Sequence, residues 1–130
     1  QKEVAERVVA SPKSKAYGRL SVLCQYLCDC QILFDVHRSA FTPPPKVTSA
    51  VVQLRPKADR GPEINLKSLG KVTQAAFGQR RKMLRASLKT LNIDVGLLLE
   101  RAAIVETVRA EELSIADFVR LTQVYDEMTA

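Results

Sequence analysis

The sequence predicts an α+β fold in which helices and two antiparallel strands are followed by a small all-α region. Residues 30–36 and 49–55 are rich in Val, Leu and Ile, as strands are. Residues from 66 onward show only helical periodicity. Residues 56–63 contain two prolines and a glycine and have no apolar period, which is typical of a linker.

These observations divide the chain into three parts. The 130 residues are 46% apolar, enough for one ordinary core or two small ones. We expect residues 1–57 to form the mixed part, residues 58–63 the linker and residues 64–130 an independent helical domain.

Before the linker, the pattern predicts helices over 2–10 and from Gly18 or Arg19 to about 28, then the two strands. The second helix should bury one face, made by Leu20, Leu23, Cys24 and Leu27. Two strands alone make a poor sheet. Further strands are therefore expected upstream of Gln1, in a chain that begins within a domain.

After the linker, the pattern predicts helices over 66–77, 81–91 and 94–102, with Asp94 as the cap of the third. Ser114 and Asp117 resemble a capping box that starts a terminal helix. That helix should bury Phe118, Leu121, Tyr125 and Met128 along one side.

Charge is distributed unevenly along the chain, whose net charge is +6. Residues 1–57 carry nine Lys/Arg against four Asp/Glu, residues 58–92 eight against two, and residues 93–130 three against eight. A basic stretch within a foldable domain favours a polyanion as partner, with RNA or DNA first. A solvated basic face without a ligand is the alternative.

The densest positive charge lies in the predicted helix 81–91. With Leu84, Leu88 and Leu91 buried, a rotation of about 100° per residue groups the cations on the other side. Cations at a helix N-terminus oppose the macrodipole, and this unfavourable placement indicates a use such as phosphate contact. The predicted patch, free of neighbouring carboxylates, consists of Arg80, Arg81, Lys82, Arg85 and Lys89. An ordinary solvated helix face is again the alternative.

Phe41 opens a segment with three consecutive prolines, Pro43, Pro44 and Pro45. Consecutive prolines hold a loop extended and remove backbone donors. A Phe at the mouth of such a loop is either a core plug or a platform on which an unstacked base lies.

The three cysteines, Cys24, Cys28 and Cys30, are close in sequence, and His37 is the only histidine. Zinc sites need about four ligands at matched spacing, so no metal is expected. Free thiols fit a reducing compartment, which predicts a cytoplasmic location, and the thiols should behave as small buried hydrophobes. No apolar run approaches the roughly 20 residues that span a bilayer.

The chain resembles the dimethyladenosine transferase family of ribosomal RNA methyltransferases. The resemblance lies in five ordered segments, residues 1–7, 14–22, 39–47 with 49–52, 76–85 and 109–114. It implies that residues 1–57 are the last helices and strands of a Rossmann-like methyltransferase domain, and that a small helical RNA-contacting domain follows.

The resemblance also implies a reaction. Such enzymes transfer two methyl groups from S-adenosylmethionine to the N6 of each of two adjacent adenines near the 3′ end of small-subunit ribosomal RNA, on the immature small ribosomal subunit. The family's stacking Phe carries over to Phe41, as a catalytic residue that stacks on the target adenine. Its basic segment carries over to Arg80, Arg81, Lys82 and Arg85, and Lys89 is added from helix geometry.

Three family motifs have no counterpart here: the glycine-rich cofactor loop, the ribose-binding acid and the Asn-Leu-Pro-Tyr motif. The parent protein is therefore expected to be an enzyme, and this chain alone to hold no cofactor and to be inactive. Exposed sheet edges could pair with another copy of the chain. Two alternatives are a stand-alone basic RNA-binding module and a DNA-binding domain that uses helix 81–91 for recognition.

Overall fold

The computed structural model describes all residues, 1–130, as six α-helices and a two-stranded sheet. Short 3₁₀ turns occupy Arg38–Ala40, Leu88–Leu91 and Ala110–Glu112. The main elements in chain order are α1 Lys2–Val9, α2 Arg19–Leu27, β1 Cys28–Val36, β2 Ser49–Pro56, α3 Leu66–Gly78, α4 Leu84–Ser87, α5 Val95–Arg101 and α6 Ile115–Thr129. The α+β prediction is confirmed.

The two strands pair antiparallel, as predicted, from Cys28 opposite Pro56 to Val36 opposite Ser49. The register shifts between Ile32 and Phe34, where β1 carries one extra residue. Helices α1 and α2 pack against this hairpin. Several large apolar side chains of the hairpin stay at the surface; Phe34 is 58% exposed and Leu54 is 51% exposed.

The helices after residue 64 begin with well-formed caps. Asn65 accepts from the amides of Lys67 and Ser68 at the start of α3, and Asp94 accepts from Leu97 N, which confirms its predicted cap. Ser114 and Asp117 bond reciprocally in the predicted capping box. The region from 66 to 128 contains no strand, only an isolated bridge between Met83 and Arg109.

One hydrophobic core joins residues from both sides of the predicted linker. Tyr17, Val22 and Tyr26 lie in the same buried cluster as the helices that follow residue 64. The Tyr17 hydroxyl donates to the Leu113 carbonyl at 2.7 Å, and its ring meets Phe77 edge-on at 5.9 Å. The division at 58–63 stays a prediction, but the chain folds with the end of its first part packed on its second.

The predicted apolar face of α2 is only partly covered: Leu23 and Leu27 pack against the core without being its most buried residues. Leu20 is 38% exposed, whereas Ser21, Val22 and Tyr26 are buried. Helix α2 contacts α3 and α6 as well as α1 and the hairpin. Val22 and Tyr26 belong to the core that it shares with α3 and α6, whereas the Ser21 hydroxyl donates to the Arg7 carbonyl on α1. Local periodicity could not distinguish the side of Val22 and Tyr26 from that of the partly covered leucines. No helix in the structure has the length and apolar character that crossing a membrane would require.

Candidate nucleic-acid interface

The predicted helix over 81–91 is wrong in its first turn. Helix α3 ends at Gly78, a turn follows, and α4 begins only at Leu84. Arg81 and Lys82 therefore lie in the turn, and the helical-wheel angles do not apply to them. The apolar stripe is largely right, since Leu84 and Leu88 are fully buried.

This placement changes the electrostatic argument for the basic segment. Arg80, Arg81 and Lys82 directly follow the C-terminus of α3, a helix of 13 residues, and precede α4, a helix of four. Cations near the C-terminal end of a helix are favourable, because the macrodipole is negative there. The cost that we inferred for these cations therefore largely disappears, and their presence needs no special use.

Arg80 is engaged within the chain itself. Its guanidinium donates to the Ser14 carbonyl at 3.1 Å and lies 5.8 Å from the centre of the Phe77 ring, within cation–π range. A carboxylate oxygen of Glu111 is 3.8 Å away. Arg80 thus fastens the loop before α2 to the end of α3, and its predicted contact with RNA stays a prediction.

The expectation that the patch has no carboxylates nearby is also wrong. Glu106 lies 3.9 Å from the Arg85 guanidinium, and both side chains are 55% exposed. Together with Glu111 near Arg80, it comes from the segment between α5 and α6, which folds back over the basic turn. An exposed pair at this distance contributes little, about 0–1 kcal/mol, so Arg85 keeps much of its capacity for phosphate.

Three of the predicted cations have no ionic partner. Arg81, Lys82 and Lys89 are exposed, and none takes part in any of the five ion pairs of the chain. Arg81 and Lys82 lie in the turn, and Lys89 lies on the 3₁₀ turn Leu88–Leu91. These three are the free cations of the predicted patch.

A second basic surface was missed from the sequence. Arg7, Lys15 and Arg19 line one open groove of about 490 Å³ together with Arg80. No Asp or Glu is among its nine lining residues, although Arg7 pairs with Glu3 on α1 at 2.9 Å. A signal existed, because residues 7–28 contain four cations and no acid before Asp29. The charge of residues 1–57 taken together conceals it, because acidic residues lie on both sides of this stretch.

Phe41 lies at the surface, directly after the turn Arg38–Ala40. Its side chain is 43% exposed and is not part of the aromatic pairs that Tyr17, Phe77 and Phe118 form. Of the two roles left open for it, the core plug is therefore wrong in this chain. The stacking role stays a prediction.

The cysteines are partly buried and unpaired. Burial, and then the neighbouring Cys28, raise the pKa of the Cys24 thiol, and burial is also the main cause that raises the pKa of Cys30. Both thiols thus stay protonated near neutral pH. No group of three His, Cys, Asp or Glu side chains is placed to hold a metal ion.

S-adenosylmethionine does not fit the residues of this chain. Cofactor loops of this kind need closely spaced glycines, which let the backbone approach the ligand. The five glycines here are at least eight positions apart, at 18, 61, 70, 78 and 96. Only Gly61 has a positive φ, of 73°, and it lies in the linker. The glycine pattern of a cofactor loop is therefore not found in this chain.

The fold and its surface place the chain in the class of basic α+β proteins. More particularly, the chain belongs to the ribosomal RNA adenine dimethylase family, whose model matches residues 1–127. This confirms the family that the sequence resembles.

Bacterial relatives support the same assignment. The chain is 56% identical to ribosomal RNA small subunit methyltransferase A of Xanthobacter autotrophicus, over 98% of this chain and 44% of that protein. It is 59% identical to the protein of the same name in Mesorhizobium japonicum, over 94% and 43%. The chain thus spans less than half the length of these relatives.

Two solved structures have a similar fold. A dimethyladenosine transferase from Plasmodium falciparum matches with a TM-score of 0.85 and 27% identity, over 99% of this chain and 56% of that one. The 23S rRNA methyltransferase ErmE matches with a TM-score of 0.57 at 23% identity, which bears on the fold alone.

Proposed function

We propose that this chain supplies RNA-binding surface to a ribosomal RNA adenine dimethyltransferase. The whole enzyme would transfer methyl groups from S-adenosylmethionine to the N6 of two adjacent adenines near the 3′ end of small-subunit ribosomal RNA. It would act in the cytoplasm, on the immature small ribosomal subunit, during ribosome biogenesis.

The observation that carries the proposal is that several exposed cations of this chain have no ionic partner. Arg81, Lys82 and Lys89 are exposed and unpaired, and Lys15 and Arg19 line a groove without carboxylates. Each such cation is free to bind a phosphate without first breaking an internal ion pair. Binding to a nucleic-acid backbone releases condensed counterions, which is the main source of affinity at low salt.

Within the whole enzyme, the residues of this chain would bind and orient RNA. Phe41 would stack on the target adenine, because an exposed ring on a proline-stiffened loop offers a flat face at little entropic cost. An exocyclic adenine amine is a weak nucleophile, so orientation towards the methyl donor is what the enzyme must supply. The donor itself would be held by residues outside this chain.

The chain alone should therefore bind RNA but not S-adenosylmethionine. Calorimetric titration with millimolar S-adenosylmethionine should give no binding heat. A saturable heat of one-to-one stoichiometry would contradict the proposal that residues outside this chain hold the methyl donor.

The RNA contact is tested by replacing Arg81 and Lys89 together with Ala. Both residues are exposed and unpaired, so the fold should survive. The slope of log affinity against log salt for structured RNA should become shallower by about 1.5, because each lost phosphate contact removes roughly 0.7–0.9.

The matched control is the double replacement of Arg55 and Arg101 by Ala, which removes the same charge from exposed positions elsewhere. Its slope should change little. Equal losses in the two variants would mean that only net charge matters. Equal affinity for duplex DNA of the same length would favour a general nucleic-acid-binding module over an RNA-directed one.

A further inference from the structure

A groove between α2 and α3 contains none of the predicted RNA-binding residues. Its volume is about 500 Å³. Three leucines, Leu23, Leu27 and Leu66, provide its apolar lining. Its other lining residues, which include no Asp or Glu, are Arg19, Lys67, Gly70, Lys71 and Gln74.

The three cations of this α2–α3 groove have no ionic partner. Arg19, Lys67 and Lys71 are all exposed, and none occurs in an ion pair. Arg19 and Lys67 also lie in the first turns of α2 and α3, which contain no acidic residue. Cations are unfavourable near a helix N-terminus, so the placement of Arg19 and Lys67, unlike that of Arg81 and Lys82, indicates a use for their charge.

Gly70 shapes the wall of the groove beside Arg19. The position that a Cβ would take on Gly70 is 3.3 Å from a terminal guanidinium nitrogen of Arg19. Glycine in the interior of a helix makes the helix less stable than alanine does, because glycine loses more backbone entropy on folding. Here its missing side chain leaves room for the Arg19 guanidinium to lie against α3.

The groove continues into a neighbouring cleft of about 520 Å³ through Lys71 and Gln74, which line both. Gln79, Ser87 and Thr90 also line this cleft, and it too lacks carboxylates. The Ser87 Oγ is buried and has no hydrogen-bond partner. Buried polar atoms are normally satisfied, so this hydroxyl is an unmatched polar group at the wall of a cleft that also offers the amide side chains of Gln74 and Gln79.

We propose that the α2–α3 groove binds a single-stranded segment of RNA, separate from the contact at Arg81 and Lys89. Its cations suit phosphates, and its leucines suit the faces of unstacked bases and riboses. A duplex hides those faces, so it would leave the apolar lining uncovered. The polar cleft beyond would then receive the edge of one base. This inference rests on the proposed function, because it adds a second contact for the same ligand class.

The first test replaces Arg19, Lys67 and Lys71 together with Gln. Affinity for a single-stranded oligouridine, measured by fluorescence anisotropy, should fall by about tenfold and the salt slope by about 2, since single-strand contacts contribute roughly 0.7 each. The control replaces Arg55, Arg60 and Arg101 with Gln, which removes equal charge from exposed positions outside the groove. It should change affinity by less than about threefold, a loss due to net charge alone.

A second variant keeps every charge. Gly70→Leu fills the groove beside Arg19 with a better helix former, so the thermal midpoint should not fall. Affinity for oligouridine should still drop by about fivefold, because bases lose their apolar contact. The inference is overturned if this variant binds like the parent chain, or if the two triple variants lose affinity equally.

These outcomes are distinct from failure of the proposed function. If the unmodified chain binds neither oligouridine nor structured RNA, the proposed function fails and the groove fails with it. If it binds both, and only the Arg81 and Lys89 variant is impaired, the function stands and the groove is overturned.

Discussion

The hairpin and the helical body of this chain bury their large apolar residues to very different extents. Leu98 and Phe118 in the helical body are fully enclosed, whereas Leu54 and Phe34 in the hairpin are more than half exposed. The helical body, together with Tyr17 and Val22, holds a core of its own. The hairpin depends on α1 and α2 for the cover that it has.

The difference shows which properties this chain can keep by itself. Cations fixed on the helical body stay in position as long as its core is intact. A sheet whose apolar side chains remain at the surface contributes little free energy of its own, since buried apolar area is the main stabilising term. The proposed RNA contact should therefore depend on the core of the helical body and not on the stability of the hairpin.

The largest expected contrast uses the same substitution in both regions. Leu98→Ala should reduce the free energy of unfolding by about 2–5 kcal/mol, because it leaves a cavity in the core. Leu54→Ala should change it by less than about 0.5 kcal/mol, as at an ordinary surface position. Urea unfolding measures both. Similar losses would mean that the hairpin is as well packed as the helices.

A smaller effect is expected where the first part of the chain meets the helical body. Tyr17→Phe removes the hydroxyl that donates to the buried Leu113 carbonyl and should cost about 1–3 kcal/mol. Tyr26→Phe is the control, since Tyr26 is equally part of the core but its hydroxyl makes no hydrogen bond within the chain. If the two variants were equally stable, the Tyr17 hydrogen bond would contribute nothing, and apolar packing alone would hold the first part of the chain on the helical body.

The capping box of α6 should give a pH-dependent contribution. Partial burial acts to raise the pKa of Asp117, but hydrogen bonds from the Ser114 amide and the Arg120 guanidinium outweigh it and hold that pKa below its usual value. The stabilisation is therefore complete above the unfolded pKa of about 4, and it is lost as the pH falls through the lower folded pKa.

Asp117→Asn tests this contribution. The variant should lose about 1 kcal/mol of unfolding free energy at pH 7, which is typical of a helix cap, and less at pH 3. Unfolding curves at the two pH values measure the difference. A loss that is the same at both would mean that the carboxylate charge plays no part.

The smallest expected effect concerns self-association through the hairpin. Its exposed apolar residues and free edges should produce weak, concentration-dependent dimers in sedimentation experiments. Phe34→Lys should reduce them. Val105→Lys, the same change at an exposed apolar residue outside the hairpin, should not. Dimers unaffected by Phe34→Lys would place the contact elsewhere.

Local signals predicted most of the fold. The pairing of the strands, the caps at Asp94 and Ser114 and the end of α3 near Gly78 all follow from short-range patterns, because turns, caps and strand alternation depend on neighbouring residues. The most deeply buried apolar residues of α2, Val22 and Tyr26, were not predicted, because contacts with α3 and α6, which are distant in sequence, help to determine which side is covered.

The candidate site was less predictable for the same reason. Glu106 and Glu111 approach the basic turn only after the chain between α5 and α6 folds back, and no local pattern shows this. Arg19, Lys67 and Lys71 are separated by up to 52 positions, so only the packing of α2 on α3 brings them to one groove. The sequence shows which residues are cations. Only the tertiary contacts show which of these cations have no ionic partner.

Amide hydrogen exchange with and without RNA tests the central claim, that RNA contact belongs to the helical body and its adjoining loop. Saturating RNA should slow exchange over residues 15–22 and 67–91 and leave the paired strands, residues 28–36 and 49–56, unchanged. Protection confined to the hairpin, or no protection at an RNA concentration that saturates binding, would contradict the account.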